Sequence, residues 1–481
     1  MKIPLPTPGR KWLFAALIFA LVIVYVGLAA TRFAASWFDD RGEKKANLKS
    51  LERAVRLDPG DSDYRYDLGR YYDLVAHDQR AAIPQYQAAV ALNPHSADYW
   101  RDMAFAYWVQ EDTANQTAAL ERAIQAEPTK PEIARTAANF YLVLATNEKD
   151  PALEQTLATK ALREFRVVLT NDPPSAPEAI KNCWRLEPDV DLLLRDVVPP
   201  TGDAYISFLT FLQDDADRRL REIASSTANT SPDAATMAQL QTTGLQIHKE
   251  TAAAFKVWNA LAQSGQPFEQ RYAADYLQFL IMHGEVDQAV QVWQQTTDHF
   301  KLSSYLPSPG NLIVNGQLSL PVLNAGFDWR YQKQNGVKLA LDPIDPKDPH
   351  GPRSLRITFD GPGISDAGFY HLVAVQPSTT YEFSAHYKTE GQQEGQGGPH
   401  FTVQDMYSQV IYYESDVLKA SDDSQESDDV KDAETRKTVN GEFTTSPTCK
   451  LLVVHIRRVP EGHPIRGKLW VDDFRLIKKP S

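Results

Sequence analysis

The tract Leu51-Glu-Arg-Ala-Val-Arg-Leu-Asp-Pro59 returns as Tyr86-Gln-Ala-Ala-Val-Ala-Leu-Asn-Pro94 and again as Leu120-Glu-Arg-Ala-Ile-Gln-Ala-Glu-Pro128, its closing prolines 35 and then 34 residues apart. Self-similarity near this period, ending each time in a helix breaker, is the mark of a helical solenoid. One unit of such an array cannot bury its own apolar face. Neighbours bury it for each other and leave an extended concave surface. A fold of this kind points to binding before catalysis.

The solenoid does not account for the whole chain, because 481 residues suffice for several domains. A formal net charge of −12 argues against a nucleic-acid backbone as the partner. Only two cysteines occur, Cys183 and Cys449, in different parts of the chain, so there is no disulfide framework and no multi-cysteine metal site. Both read as buried thiols.

Leu13 to Ala30 is a run of 18 residues without a charge, extended by Trp12. At about 1.5 Å per helical residue it nearly spans a bilayer core of about 30 Å. Lys2, Arg10 and Lys11 precede it with no acidic residue. This reads as a single-pass anchor over 12–31, behind a tail of residues 1–11 expected on the cytoplasmic side, with the bulk of the chain exported across a cell inner membrane. The alternative is a cleaved signal peptide, for which Gly27-Leu-Ala29 supplies small residues. Arg32, Arg41, Lys44 and Lys45 follow the span closely, so basic residues alone leave the orientation open.

The repeats resemble tetratricopeptide repeats. Leu68, Gly69 and Tyr72 stand in the first helix of one unit, with Ala82, Tyr86, Ala89 and Pro94 along its second. Trp100, Ala104 and Tyr107 with Leu120, Ala123 and Pro128 form the next, and Ala138, Tyr141, Ala161, Phe165 and Pro173 another. Small residues permit close helix approach, and aromatics fill the wedge between pairs. The array is expected over 46–178, with a degenerate helical region over 179–307. Pro128 and Pro173 are 45 residues apart, and the excess is expected as a loop inserted around Thr146-Asn-Glu-Lys-Asp-Pro151. No soluble helix precedes Asn47, so the anchor or its exit is expected to stack there. Tyr66, Tyr71, Trp100 and Trp108 are candidates for a concave face that holds a protein or peptide; the competing reading places them in inter-repeat core.

At Ser308-Pro-Gly310 alanine-rich helix gives way to short alternating apolar runs. Nine candidate strands follow, beginning with Leu312 to Val314 and ending with Lys468 to Leu476, which imply a sandwich over 308–481. Asn311-Leu-Ile-Val-Asn-Gly316, Gly326-Phe-Asp-Trp329 and the closing Leu469-Trp-Val-Asp-Asp-Phe-Arg-Leu476 resemble the jelly roll of carbohydrate-binding modules and other galactose-binding-like domains. That resemblance implies a β-sandwich that often binds glycans, sometimes with structural calcium, though many relatives bind no sugar. The whole arrangement is similar to membrane-anchored repeat proteins of bacterial exopolysaccharide and envelope systems. Sugar stacking needs exposed aromatic faces, for which Trp329, Tyr331, Tyr370, Tyr407, Tyr412 and Tyr413 are candidates beside the alternative of core packing. Asp472 and Asp473 are candidate calcium ligands, although adjacent strand residues face opposite ways. The stretch 414–437, with nine acidic against four basic residues, reads as a solvated loop.

No His-Glu-x-x-His, Gly-x-Ser-x-Gly or helix-opening Gly-x-Gly-x-x-Gly motif occurs. Carboxylate pairs for glycoside hydrolysis are defined by spacing in the fold and stay open. The expectation is a multidomain, non-catalytic scaffold: a transmembrane helix, an all-α solenoid and an all-β jelly roll. Its expected partners are proteins or peptides, with polysaccharide as a further one, and not nucleic acid; no cofactor beyond calcium is called for. The alternatives are a glycan-binding protein working through the sandwich and, third, a glycoside-active enzyme.

Overall fold

The structure, a computed structural model, describes residues 8–227, 234–348, 351–361, 364–391, 398–419, 436–459 and 465–480. Most of the expected N-terminal tail and the centre of the acidic stretch 414–437 lie outside the described residues. The chain divides into two compact units, Met1–Phe211 and Leu212–Ser481.

The first unit opens with a single helix, α1 (Pro8–Lys45), long and apolar enough to cross a membrane. Its far end is already solenoid. Ala35 is fully buried with Leu51, Ala54, Tyr64 and Leu68, and Phe38 packs on the same cluster. The partner helix is α2 (Leu48–Leu57), which comes so close that a Cβ on Gly42 would lie 2.6 Å from Leu51. The long apolar helix therefore runs directly into the first helix of the first repeat.

Three further pairs follow: α3 (Ser62–Arg70), prolonged by a π-turn Tyr71–Val75, with α4 (Gln79–Leu92); α5 (Ala97–Val109) with α6 (Thr113–Ala126); and α7 (Pro131–Asn147) with α8 (Pro151–Asn171). Asn47, Asp61, Asp78, Asp112 and Asp150 cap helix starts by accepting a backbone N–H from the first turn. Asp58, Asn93, Glu127 and Asp172 end the second helices in one extended conformation, φ between −139° and −134°. Each precedes a proline, whose ring disfavours the helical region for the residue before it. The small positions work as expected: Ala82, Ala89, Ala104 and Ala123 are buried, and Tyr86 lies over Gly69, where a Cβ would meet its ring at 2.8 Å.

The inserted loop expected near Thr146 is not there. α7 has 17 residues against 13 in α5, and α8 has 21 against 14 in α6, with only Glu148, Lys149 and Asp150 between them. The eleven extra residues lengthen the two helices, because Asp150 caps and Pro151 opens α8 as helix-start signals. After α8 come α9 (Ala176–Leu186), the short α10 (Val190–Leu192) and α11 (Gly202–Thr227). Glu187 before Pro188 repeats the same cap, φ −141°, a fifth instance of the ending.

The second unit carries the remainder of α11, then α12 (Ala234–Ser264), a short pair α13 (Gln270–Met282) and α14 (Val286–His299), and the sandwich. Among the described residues ten strands form two antiparallel sheets: β1 (Trp329–Tyr331), β2 (Val337–Pro343), β3 (Arg353–Gly361), β4 (Asp366–Ala374), β5 (Thr380–Glu390), β6 (Gly398–Asp405), β7 (Ile411–Glu414), β8 (Lys437–Thr444), β9 (Leu451–Val459) and β10 (Ile465–Lys478). The strand orders are β1-β4-β9-β6-β7 and β2-β3-β10-β5-β8. Their facing sides bury Trp329, Phe383, Phe401, Leu469, Val471 and Phe474 among others. The expected strand Leu312 to Val314 is instead a turn. Asn311 gives its side-chain N–H to the Phe474 carbonyl and accepts from Leu476 N–H, and backbone bonds from Leu312 N–H to the Leu476 carbonyl and from Phe474 N–H to the Gly316 carbonyl tie the same turn to β10.

Candidate functional site

In the first unit α5 and α7, the first helices of neighbouring pairs, leave a groove of about 530 Å³ between them. Its apolar wall is Phe105, Trp108, Phe140 and Val143, with Leu120 beneath; Asn139, Thr136 and Gln116 supply polar groups. Phe105 is 49%, Trp108 56% and Val143 58% exposed, although all three are large and apolar. They sit in the second half of their helices. Leu74, Val75 and Val109 continue the exposed apolar positions at the ends of the same series of helices.

Of the four aromatic residues expected on this face, Trp108 alone lines the groove. Tyr66 is half-buried between repeats: its ring lies 4.5 Å from that of Tyr99, and its hydroxyl donates to Asp102 Oδ2 at 2.6 Å. Burial first, and the neighbouring Asp102 second, push the Tyr66 phenol well above its ordinary pKa. Arg101 holds the other oxygen of Asp102 at 2.8 Å, so these two charged residues, which also line the groove, are paired with each other. Trp100 donates to the Pro94 carbonyl at 2.9 Å and braces an inter-repeat turn; Tyr71 packs edge-on against Tyr72. Phe105, Phe140 and Val143 were not singled out from sequence. The legible signal was Ala104-Phe-Ala-Tyr-Trp-Val109, six apolar residues in a row where a helix buried on one side needs about half as many.

The two sheets of the sandwich differ in what lies on their outer faces. Strand alternation turns Arg330, Tyr370, His455, Thr402 and Glu414 outward, and the register aligns them in a row across β1, β4, β9, β6 and β7. That face is covered. Arg330 bonds to Gln278 of α13 and to the Gly326 carbonyl at 2.8 Å, Tyr407 donates to the Ile281 carbonyl at 2.8 Å, and Lys450 pairs with Asp287 of α14 at 2.6 Å. Trp293 packs against the backbone of Gly326, which has φ +59° and no room for a Cβ. In consequence His400, Thr402, Gln404 and His455 are all buried despite pointing outward.

This arrangement places the expected glycan-contacting aromatics as follows. Trp329 is core, 1% exposed and stacked on Phe369. Tyr412 and Tyr413 are half-buried against the same core. Tyr370 lies on the covered face, and Tyr407 spends its hydroxyl on α13. Tyr331, at the edge strand, is 50% exposed.

On the other sheet the outward residues of β2, β3, β5 and β10 are mostly half-exposed. At its centre stands Trp470, directly opposite Arg356 on one side and Lys388 on the other. The indole N–H donates to Asp342 Oδ2 at 2.9 Å, and Lys468 Nζ lies 5.7 Å from a Trp470 ring centroid. In the sequence Trp470 reads as part of the closing strand's fold signature, so its outward position is set by register with neighbours distant in the chain.

Asp472 and Asp473 do not fit a calcium ion. Asp472 is buried with Arg436 Nε 3.3 Å from Oδ2, and Arg475 Nη2 sits 2.9 Å from Asp473 Oδ2. Guanidinium groups already hold the charge that a metal would neutralise. Between the two carboxylates the β10 register slips, with Asp473 at φ +47°. Among the described residues no group of three or more His, Cys, Asp or Glu side chains is arranged to hold a metal. Both cysteines are buried and free, and burial pushes the Cys449 thiol up to about 12.

No protein-family model matches the chain, and no curated protein matches it. Several solved structures are similar to parts of it. A structure described as "CBM4 structure and function" is 13% identical over 35% of this chain and 99% of its own length, with TM-score 0.25. MamA is 20% identical over 36% of this chain and 99% of its own, TM-score 0.25, and PilF of Pseudomonas aeruginosa 14% identical over 56% and 93%, TM-score 0.24.

Proposed function

We propose that this chain is a membrane-tethered, non-catalytic scaffold that receives an apolar segment of a protein partner in the groove between α5 and α7. The observation that carries this reading is the exposure of Phe105, Trp108 and Val143 around one groove, in an array whose other large apolar side chains are mostly packed. Removing such side chains from water is worth about 2 kcal/mol each, enough to favour a partner's apolar side chains there.

The fold argues that the occupant is protein and not lipid. Connections of a few residues make successive helices antiparallel, so α1, α3, α5 and α7 run the same way. α1 leaves the membrane span at its start, which puts the C-terminal ends of these helices, with Trp108 and Val143 toward them, on the side away from the bilayer. The tether is a single inner-membrane span with the bulk of the chain extracytoplasmic, and the setting is bacterial envelope or exopolysaccharide assembly, in keeping with the resemblance of the whole arrangement. By fixing the partner beside the membrane, the scaffold raises its effective concentration there without bond chemistry.

The test is the double substitution Phe105→Ala/Trp108→Ala in the full-length chain, with the proteins that co-purify from membranes compared against wild type. A specific partner lost from the variant, with unchanged thermal midpoint, is the expected result; an unchanged set of partners would refute the groove. A second reading, glycan binding by the sandwich, is favoured by the uncovered sheet face around Trp470.

A further inference from the structure

We infer that Phe33, Trp37 and Arg41 of α1 form a lipid-facing collar that seats the first helix pair in the headgroup layer of a phospholipid bilayer. This rests on the membrane-tether reading above and adds how the solenoid meets the lipid.

Beyond its uncharged run α1 has two faces. Ala35 is fully buried, Phe38 packs on the same cluster and Gly42 lies against Leu51, so positions 35, 38 and 42 make the stripe that α2 covers. At 3.6 residues per turn, Phe33 and Trp37 each fall about 160° around the helix from Ala35. They are an i, i+4 pair of large aromatic side chains turned away from α2, Phe33 75% and Trp37 49% exposed.

Their height matches the bilayer interface. A hydrocarbon core of about 30 Å takes up about 20 helical residues. Counted from Trp12, these end at Thr31, whose hydroxyl donates to the Leu28 carbonyl at 2.9 Å and so needs no water. Phe33 then stands about 3 Å and Trp37 about 9 Å beyond the core, and both rings reach back toward it because helical side chains lean toward the N-terminus. The headgroup layer there is about 5–7 Å thick, and it is where aromatic side chains collect in membrane proteins.

The charges fall in the same order. The Arg41 guanidinium lies over Trp37, 5.3 Å from the ring centroid. Asp40 is held by Lys44 at 2.6 Å and Glu43 by Arg70 at 3.5 Å, so the carboxylates next to Arg41 in sequence are engaged by other cations. A guanidinium lying over an indole presents its N–H groups at the edge, where phosphodiester oxygens accept them. On the opposite side α2 runs back along α1, and Arg32 Nε is 3.4 Å from Asp58 Oδ2, which brings the turn after α2 down to the level of Arg32. The membrane-side end of the first repeat therefore reaches the depth of the collar. Because α1 passes through that depth as one helix, the collar sets the height and tilt of the repeats.

The experiment uses the full-length chain in nanodiscs of phosphatidylethanolamine and phosphatidylglycerol, with a nitroxide on Leu21→Cys, Phe33→Cys, Trp37→Cys, Lys49→Cys or Gly60→Cys in turn. Accessibility to oxygen relative to a water-soluble nickel chelate reads depth, and the wild-type chain, whose two cysteines are buried, supplies the background. Leu21 lies within the uncharged run, and Lys49 is exposed at the start of α2, away from the bilayer. The oxygen-to-nickel ratio is expected to be highest at 21, intermediate at 33 and 37, and severalfold lower at 49. A ratio at 33 and 37 equal to that at 49, with 21 in lipid, would overturn the collar and leave the tether standing. A ratio at 21 as low as at 49 would overturn the tether and the collar with it. The label at Gly60, an exposed turn position, keeps both aromatics in place. Its nickel accessibility is expected to rise severalfold in Phe33→Ser/Trp37→Ser, and an unchanged value would show that the aromatics do not set the depth of the first repeat.

Discussion

Gly326 shows how one position without a side chain holds two elements together. Its φ of +59° is a conformation L-residues rarely adopt, and a Cβ there would overlap the Trp293 ring of α14. Gly391 has nearly the same backbone, φ +62°, but faces open space. Gly391→Ala is therefore expected to cost about 1 kcal/mol, and Gly326→Ala about 2–4 kcal/mol, since overpacking adds to strain. Urea denaturation of the two variants measures the difference; equal losses would mean that Trp293 does not define the docking of α14. Residue-level signals were partly legible. The prolines after Asp58, Asn93, Glu127 and Asp172 announced the helix ends because a pre-proline residue has few options. Which aromatics face solvent was not legible, since Trp329 and Trp470 both sit in aromatic-rich strand patterns and only the register sends one inward and the other out.

At the scale of elements, the seam between α1 and α3 carries two carboxyl groups in contact, Asp39 and Asp67. Burial, then the neighbouring Asp67, pushes Asp39 up to about 7, and burial, then Glu43, raises Asp67 as well. Glu43, Asp61 and Asp63 add negative charge around them, and Arg70, 3.5 Å from Glu43 and 3.9 Å from Asp67, offsets part of it. With folded values above the ordinary carboxylate range, the native seam holds more protons than the unfolded chain from about pH 4 to about pH 7, so its stability falls as pH rises through that window and levels off above it. Asp39→Asn is expected to flatten the dependence and to firm the seam at pH 8. Hydrogen exchange of α2 amides, corrected for intrinsic rates, measures this; an unchanged slope in the variant would contradict it. The same seam explains what periodicity conveyed and what it did not. A 34-residue repeat predicts pairs of helices wherever they occur, including the stacking of α1 on α2, but the distance between two prolines does not say whether extra residues form a loop or extend helices. α7 and α8 extend.

For the whole molecule, the helix pair α13–α14 belongs with the sandwich in one unit, although its sequence reads as a fading repeat. A chain ended at residue 307 leaves Trp293 and Val290 without Phe327, Leu372 and Val373, which line the same groove with them. Such a truncation is expected to bind a hydrophobic dye and aggregate where the full chain does not; a well-behaved truncated protein would show that the contact is dispensable. The organisation into apolar helix, solenoid and sandwich was legible because each has its own hydrophobic pattern. The covering of one sheet face by α13 and α14 was not, because it depends on pairs such as Tyr407 with Ile281, 126 residues apart. The claim on which the functional account turns is that a protein partner occupies the groove between α5 and α7. Photo-crosslinking in intact membranes, with a benzophenone amino acid placed at Phe105, at Val143 and at Arg122, an exposed position of α6 outside the groove, tests it most directly. The account predicts one defined crosslinked species from positions 105 and 143, absent from 122 and competed away when wild-type chain is supplied in excess. Crosslinks of equal yield from all three positions, or none from the groove, would contradict it.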